Sequence, residues 1–479
     1  MSLDVVPHTL WPRISALIAE KTGLHFPPER QIDLHRGLSE AAVESGFQSS
    51  AHYADWLLST PLTTPDLNRL ANHLTIGETY FFRDQKTFDA LTEQVLPELI
   101  NRRRHEGKRL RVWSAACSTG EEPYSLAILL HRLIPDWREW NISILATDLN
   151  AHYLAKAAAG LYGEWSFRNP IPGLRERYFS EVAEGRYQIA PEIRQSVTFA
   201  QINLAQDHFP SLATDTNAMD LIVCRNVLMY FTPWQAKRAV EKLRQSLLEN
   251  AWLVVSPSEC SQELFAGLTA VNFPDAIFYQ KRRLVHESIA SWSLAPPLPQ
   301  PSDSNSVVNA SALLAASAPP TTLDELIDCA ATEDSEEPND SFGPQEFSWY
   351  ARTLANQGQL PESLEWSERW IAADKLNANA RYLHAVVSQE LGDRAAARNS
   401  LQRAIYLQPD FVLAHFALGN LARLESRAAE SRRHFQNALG LLRRRPADDL
   451  VPESEGLTAG RLTEIISALP GVVSDEPSR

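Results

Sequence analysis

Cysteine is rare in this chain, with four among 479 residues. Cys117, Cys224, Cys260 and Cys329 are widely spaced and form neither a CxxC pair nor a zinc-ligand pattern. Reduced thiols, and so a cytoplasmic setting, are the simple expectation, with Cys117 and Cys224 packed rather than reactive. There is no run of about 18 apolar residues, so no membrane-spanning helix is expected. The first residues, MSLDVVPHTLWPRISALIAEK, lack a basic start followed by an apolar core, so no secretory signal is expected. No Ser-His-Asp or Cys-His arrangement and no metal-ligand cluster is evident. A GK[ST] phosphate loop is missing, which excludes a P-loop, and so is GxGxxG. Between Arg283 and Arg352 there is no Lys or Arg at all, while eleven acids fall in that stretch. The formal net charge is −14. Most of it therefore sits in one segment, and the rest of the chain is nearly neutral.

What is present fits a globular chain of about two to four domains. Residues 1–90 read as a small helical bundle. Trp11, Ile14, Leu17 and Ile18 recur at helical spacing, and Gly23, Gly46 and Pro61 punctuate the segment. From about residue 91 to 286 strands alternate with helices. RLRVWS (109–114), ISILAT (142–147), Val197 to Ile202, DLIVC (220–224), WLVVS (252–256) and Ala276 to Gln280 read as strands. The helices between them are Tyr124 to Leu133, Ala151 to Ala159 and Pro233 to Leu248. This alternation predicts an α/β fold with a mostly parallel, doubly wound sheet.

Residues 287–345 are rich in Pro, Ser and Ala and then acidic. They read as a disordered tether, with a short helix near Leu323 to Cys329 and like charges holding enzyme and repeats apart. Residues 346–445 repeat with a period of 34, seen in Ala351, Ala385 and Gly419 and in Leu401 and Phe435. This predicts about three tetratricopeptide-like helix pairs in an all-α solenoid, with small residues where paired helices meet. Arg443-Arg444-Arg445 and Pro446 end it, and 446–479 is left as a C-terminal tail.

Four motifs point to a ligand site. In VWSAACSTGEEPYSLAI (112–128) a strand runs into a turn of small residues and then a helix, where a doubly wound sheet binds its nucleotide. Asp148 ends the second strand, where it would accept both hydrogen bonds of a ribose diol or simply cap the next helix. Asn203 and Leu204 follow a strand, placed for the edge and face of an adenine. In DLIVCRNVLMYF (220–231) a buried strand delivers Arg225, Asn226 and Tyr230 to the site edge, an arrangement that favours function over stability.

With TYFFR (79–83), these motifs resemble the CheR-type chemotaxis-receptor methyltransferases over residues 8–283. The repeats resemble the longer branch of that family, as in its Wsp-type surface-sensing members. The resemblance implies S-adenosylmethionine as methyl donor and receptor glutamates as acceptors, which tunes the receptor's adaptation state. It places cofactor contacts at Thr79, Arg83, Glu122, Asp148, Asn203, Leu204, Arg225, Asn226 and Val227. Arg83 and Tyr230 fall beside the transferred methyl. The family often carries Asn where this chain has Gly77, so only a backbone contact is implied there. The family's basic receptor-facing helix is weak here, with Arg30 and Arg36 against Glu29, Asp33, Glu40 and Glu44. Arg102-Arg103-Arg104 reads as a solvated face or a docking patch. A small β-insertion matches Gly185 to Val197. The partners implied are a chemoreceptor-like, methyl-accepting protein and an unidentified protein or peptide at the repeats. Nucleic acid and direct membrane insertion are not expected. The competing reading is a non-catalytic scaffold that senses the cofactor and recruits partners.

Overall fold

The computed structural model describes residues 6–282 and 344–469, apart from 275, 455 and 468. The expected tether, save its last two residues, and the short helix within it lie outside them.

Four helices open the chain: α1 (Trp11–Thr22), α2 (Gln31–Glu44), α3 (Ser50–Ser59) and α4 (Thr64–Leu74). Trp11, Ile14 and Ile18 of α1 meet Leu34 and Leu38 of α2, with Tyr53, Leu57 and Leu70 closing the core. This core ends at Leu74, short of the expected residue 90. Phe81, Phe82 and Phe88 belong instead to the core beneath the sheet. The helical run from Gln85 continues through a π-turn at Leu91–Val95 to His105, so residue 90 lies inside it.

The sheet has seven strands in the order β6-β2-β1-β7-β8-β10-β9. They are β1 (Arg109–Ala115), β2 (Asn141–Asp148), β6 (Val197–Gln201), β7 (Met219–Cys224), β8 (Leu247–Val254), β9 (Thr269–Phe273) and β10 (Ala276–Gln280). β1 pairs in parallel with both β2 and β7, while β10 runs antiparallel to β8 and β9. Helices cover both faces. Along β7, Leu221 and Val223 enter one core layer and Ile222 and Cys224 the other. A strand buried on both sides must be continuously apolar, which is why DLIVC carries no alternation. The chain passes from β1 outward to β2 and β6 on one side and then returns to β7 on the other, so a crevice opens at the carboxyl ends of β1 and β7.

Between β2 and β6 lies a separate antiparallel sheet in the order β3-β5-β4, formed by Leu161–Gly163, Arg186–Ile189 and Phe179–Ala183. The insertion therefore begins at Leu161, well before the expected Gly185. Only its last strand and the helix Pro191–Gln195 fall in the expected stretch.

After the tether, three helix pairs follow: Pro344–Asn356 with Leu360–Ala373, Ala378–Glu390 with Arg394–Leu407, and Val412–Leu424 with Ala428–Leu442. A Cβ on Gly419 would lie 2.6 Å from the Phe435 ring, so the small residue is a condition of close helix approach. The described residues beyond 446, up to 469, are not a tail. They form a further helix, Ala459–Ser467, whose Leu462 and Ile466 join the core of the repeats.

The repeats pack on the sheet domain in one compact unit, rather than being held apart. Leu212 enters the repeat core beside Leu360 and Leu383. The Glu390 carboxylate, 5% exposed, takes Arg109 at 2.7 Å, Arg111 at 3.7 Å and the Asn217 amide at 3.2 Å. The acidic run between the two parts does not decide their separation, because complementary folded surfaces supply buried ion pairs and apolar contact. Arg102, Arg103 and Arg104 are each paired, the first two half-buried and Arg104 exposed, as on a solvated face. They reach the Asn250 carbonyl, Asp220 and Asp136, at 3.2, 2.7 and 2.9 Å. No helix among the described residues is long and apolar enough to cross a membrane.

Candidate active site

At the end of β1 the chain turns through Ala116 (φ 65°) and Ser118 (φ 50°) to Gly120 (φ 95°), which starts the helix Glu121–Leu133. A Cβ on Gly120 would lie 2.7 Å from that of Ala157, so the turn is pressed against the next helix. Left-handed backbone at non-glycine residues is strained and persists only when its surroundings enforce it. Phe82, Asp84 and Asn226 share this conformation, with φ of 54°, 66° and 57°. Ala116, Ser118 and Asn226 line one crevice, and Phe82 and Asp84 flank Arg83, which lines it too.

The crevice has two connected lobes. The first lies between the N-terminal helices and the sheet and is open to solvent on one side. Thr22, Leu24, Arg30 and Leu74 form one wall, and Ser118, Asp148, Leu204 and Tyr230 face them. The second lobe is lined by Thr79, Arg83, Glu122, Arg225 and Asn226. Ile76, Ala116, Ser118, Asn226 and Tyr230 border both. The sequence-derived positions thus converge on one cleft, with Val227 on its wall and Gly77 in the segment beside it.

Asp148 does not cap the following helix. Asn150 does, accepting N–H bonds from His152 and Tyr153 at 2.9 and 3.2 Å. The Asp148 carboxylate accepts the N–H groups of Ser118 and Asn150, each at 2.8 Å, and so clamps the β1 turn to the β2 turn. Burial pushes its pKa up to about 6 against the pull of these bonds. Glu122 accepts from the Ser114 hydroxyl at 2.8 Å. Burial also raises its pKa, and Arg225 opposes the shift. The Arg225 guanidinium bridges Glu122 at 3.4 Å and Asp84 at 3.3 Å. Asp84 thus pairs with Arg225 and leaves Arg83, which donates to the Glu78 carbonyl at 2.5 Å.

Asn203 is held from both sides. Its amide donates to the Lys21 carbonyl at 2.7 Å, and its backbone N–H donates to Asp207 at 2.7 Å. Tyr230 is fixed through its backbone, whose carbonyl accepts the His25 N–H at 2.7 Å. The Arg30 guanidinium lies 5.1 Å from the Tyr230 ring centre and 4.9 Å from that of Phe26. One of the two basic residues expected on a receptor-facing helix is therefore turned into the cleft. Cys117 and Cys224 are buried, and burial holds both thiols well above their ordinary pKa, as packing residues should be.

Sequence reasoning passed over Glu259. Its buried carboxylate accepts the backbone N–H groups of Asn226, Val227 and Met229 at 2.7, 2.8 and 3.3 Å, and the Ser256 N–H and hydroxyl at 3.2 and 2.6 Å. It thereby shapes the loop carrying Asn226 to Tyr230. The signal was present, since Ser256-Pro-Ser-Glu259 is a capping-box pattern, although such patterns ordinarily report only a local helix start.

The "CheR methyltransferase, SAM binding domain" model matches residues 77–269. "Chemotaxis protein methyltransferase 2" of Vibrio cholerae is 32% identical over 281 residues, which is 59% of this chain and 96% of that protein. The chain belongs to the CheR methyltransferase family. "Probable biofilm formation methyltransferase WspC" of Pseudomonas aeruginosa is 30% identical over 76% of this chain and 86% of its own length. Its Pseudomonas putida namesake is 26% identical over 88% and 99%. Both matches cover more of this chain than its first 283 residues, so they extend beyond the CheR domain.

As a member of this family the chain is an S-adenosylmethionine-dependent methyltransferase. The cleft suits that molecule on its own evidence. The Ser118 hydroxyl and Arg225 Nε are buried on its walls with no hydrogen-bond partner, an arrangement a polar ligand would complete.

Proposed function

We propose that this CheR-family enzyme esterifies glutamate side chains of a chemoreceptor-like signalling protein and so tunes its adaptation state. The observation that carries this reading is the placing of Arg83 and Tyr230 on one cleft with Asp148, Glu122 and Arg225. In this assignment Asp148 takes the ribose, Ile202 to Leu204 flank the adenine, and Glu122 with Arg225 and Thr79 hold the amino-acid end.

Bound there, S-adenosylmethionine supplies a methyl group on a positively charged sulfur. The acceptor glutamate has an ordinary pKa of about 4.3 and is already ionised at neutral pH, so no general base is needed. Its oxygen forms the new bond to the methyl carbon, while the carbon–sulfur electron pair leaves to sulfur. A cation and an anion become two neutral groups, so a site shielded from water favours the transition state. The residues' task is alignment, which contributes up to about 7–11 kcal/mol in the best cases. Arg83, anchored to the Glu78 carbonyl, orients a carboxylate at the cleft mouth, and Tyr230 sets the approach. A tight Arg–acceptor pair would stabilise the ground state as well, so orientation is the productive role.

The test is incubation with S-adenosylmethionine and membranes bearing candidate receptors, followed by mass spectrometry. Methyl esters on receptor glutamates are expected. Methyl transfer only to small carboxylic acids, or none with cofactor bound, would overturn the proposal.

A further inference from the structure

The last helix, Ala459–Ser467, belongs to the repeats through its apolar face, where Leu462, Ile465 and Ile466 are buried. Arg461 leaves the helix on another side. Its Nη2 donates to the Gln201 carbonyl at 2.9 Å and to Asp207 Oδ2 at 2.7 Å. The same Asp207 oxygen accepts the Asn203 N–H at 2.7 Å, and the Asp207 N–H donates to the Asn203 carbonyl at 2.8 Å. One guanidinium thus fastens both ends of the segment from Gln201 to Asp207. Ile202, Asn203 and Leu204, which lie between, form a wall of the cleft. On the far side the Asn203 amide ties the wall to the Lys21 carbonyl.

An adhesive ion pair would need only one surface carboxylate. Arg461 instead takes a backbone carbonyl at the end of β6 together with the carboxylate that sets the cleft's own backbone. Its side chain and that of Asp207 are 18% and 14% exposed, so solvent screens this pair weakly. We infer that Arg461 is a positioning residue for the methyl donor, reaching from beyond the repeats to hold the adenine-side wall in its binding shape. This rests on the placement of S-adenosylmethionine in that cleft. Movement of the last helix within the repeats is thereby coupled to cofactor affinity.

The experiment titrates S-adenosylhomocysteine by calorimetry into the full chain and variants, with thermal melts to verify folding. Arg461→Ala is expected to weaken binding about fivefold or more, within the roughly 2- to 30-fold span of remote couplings. In turnover with receptor membranes, KM for S-adenosylmethionine should rise while kcat and the receptor's KM hold. Arg398→Ala is the control. Arg398 pairs with Glu425 and Glu430 inside the repeats and touches nothing in the cleft wall, so binding should be unchanged. If Arg461→Ala does not fold, Arg461→Gln decides, since it keeps a donor for Gln201 but no charge for Asp207. Unchanged affinity in a folded Arg461 variant would overturn the inference. So would an equal loss in Arg398→Ala, which would mark general loosening. Failure of the unmodified chain to bind S-adenosylhomocysteine would instead remove the cleft assignment itself.

Discussion

Tyr153 occupies the space that a side chain at Gly77 would need. A Cβ at position 77 would lie 2.6 Å from the Tyr153 ring and 2.7 Å from its hydroxyl, which donates to the Thr75 carbonyl at 3.2 Å. A side chain at position 77 therefore requires the Tyr153 ring to shift. Gly77→Ala should cost about 1–3 kcal/mol in urea unfolding. In a Tyr153→Ala background that cost should largely vanish, because the two positions couple by direct contact. Additive costs would show that the glycine serves another purpose.

The Asp148 carboxyl holds its proton up to about pH 6, against 3.8 for an ordinary aspartate. Because the folded pKa is the raised one, this group's stabilising contribution is full below pH 3.8 and is lost as pH rises through 6. Cofactor binding should follow the opposite sign. A ribose diol needs the ionised acceptor, and at pH 5 only about one molecule in ten has it. S-adenosylhomocysteine affinity should therefore fall up to about tenfold between pH 7.5 and 5. Asp148→Asn should bind weakly and flatten the profile. An unchanged slope in that variant would release Asp148 from the ribose.

Glu259 holds three backbone N–H groups of the loop bearing Tyr230. Glu259→Ala strands buried donors and should cost about 3 kcal/mol in unfolding free energy. It should also reduce both turnover and S-adenosylhomocysteine affinity. Glu259→Gln, which retains one acceptor oxygen, should lose less. Full activity in Glu259→Ala would show that the loop keeps its shape without the carboxylate.

Arg83→Ala separates alignment from binding. Methyl transfer should fall roughly 10- to 100-fold, as small misplacements of reacting groups do. Cofactor affinity measured alongside should change less. Unchanged transfer would remove Arg83 from the reaction.

Glu390 joins the repeats to the sheet. Removing it leaves Arg109 and Arg111 buried without their carboxylate, so Glu390→Ala should destabilise the chain by about 3–5 kcal/mol. Burial already lowers the Arg109 pKa to about 10 despite the carboxylate's opposing pull. Urea unfolding superimposable on that of the unmodified chain would mean that this ion pair carries no weight.

β7 and β8 were legible because each carries a continuous apolar run, LIVC and AWLV, and β1 and β2 because they hold shorter ones. β9 was not, because Thr269–Phe273 is a short, half-exposed edge strand with no such run. The cleft residues were legible where they follow strand ends, as Asp148, Asn203 and Arg225 do. Arg30 and Glu259 were not, because each arrives from an element distant in sequence, and the pairing of Asp84 with Arg225 is set by the fold. The pairings of Arg103 and Arg104 were not legible because their partners, Asp220 and Asp136, are set by tertiary packing. The final helix was hidden by its shortness, and its register against Gln201 and Asp207 exists only in the folded molecule.

The docking of repeats on sheet alters what the connecting segment can control. Residues 282 and 344 both belong to one compact unit, so the chain between them closes a loop. Loop closure depends on length only logarithmically, at about 0.6 kcal/mol per doubling. Halving or doubling residues 284–343 should therefore shift stability by less than loss of the Glu390 contacts. Variation in that segment's length across relatives would then be nearly neutral, while the surfaces around Glu390 and Arg461 would have to change in concert.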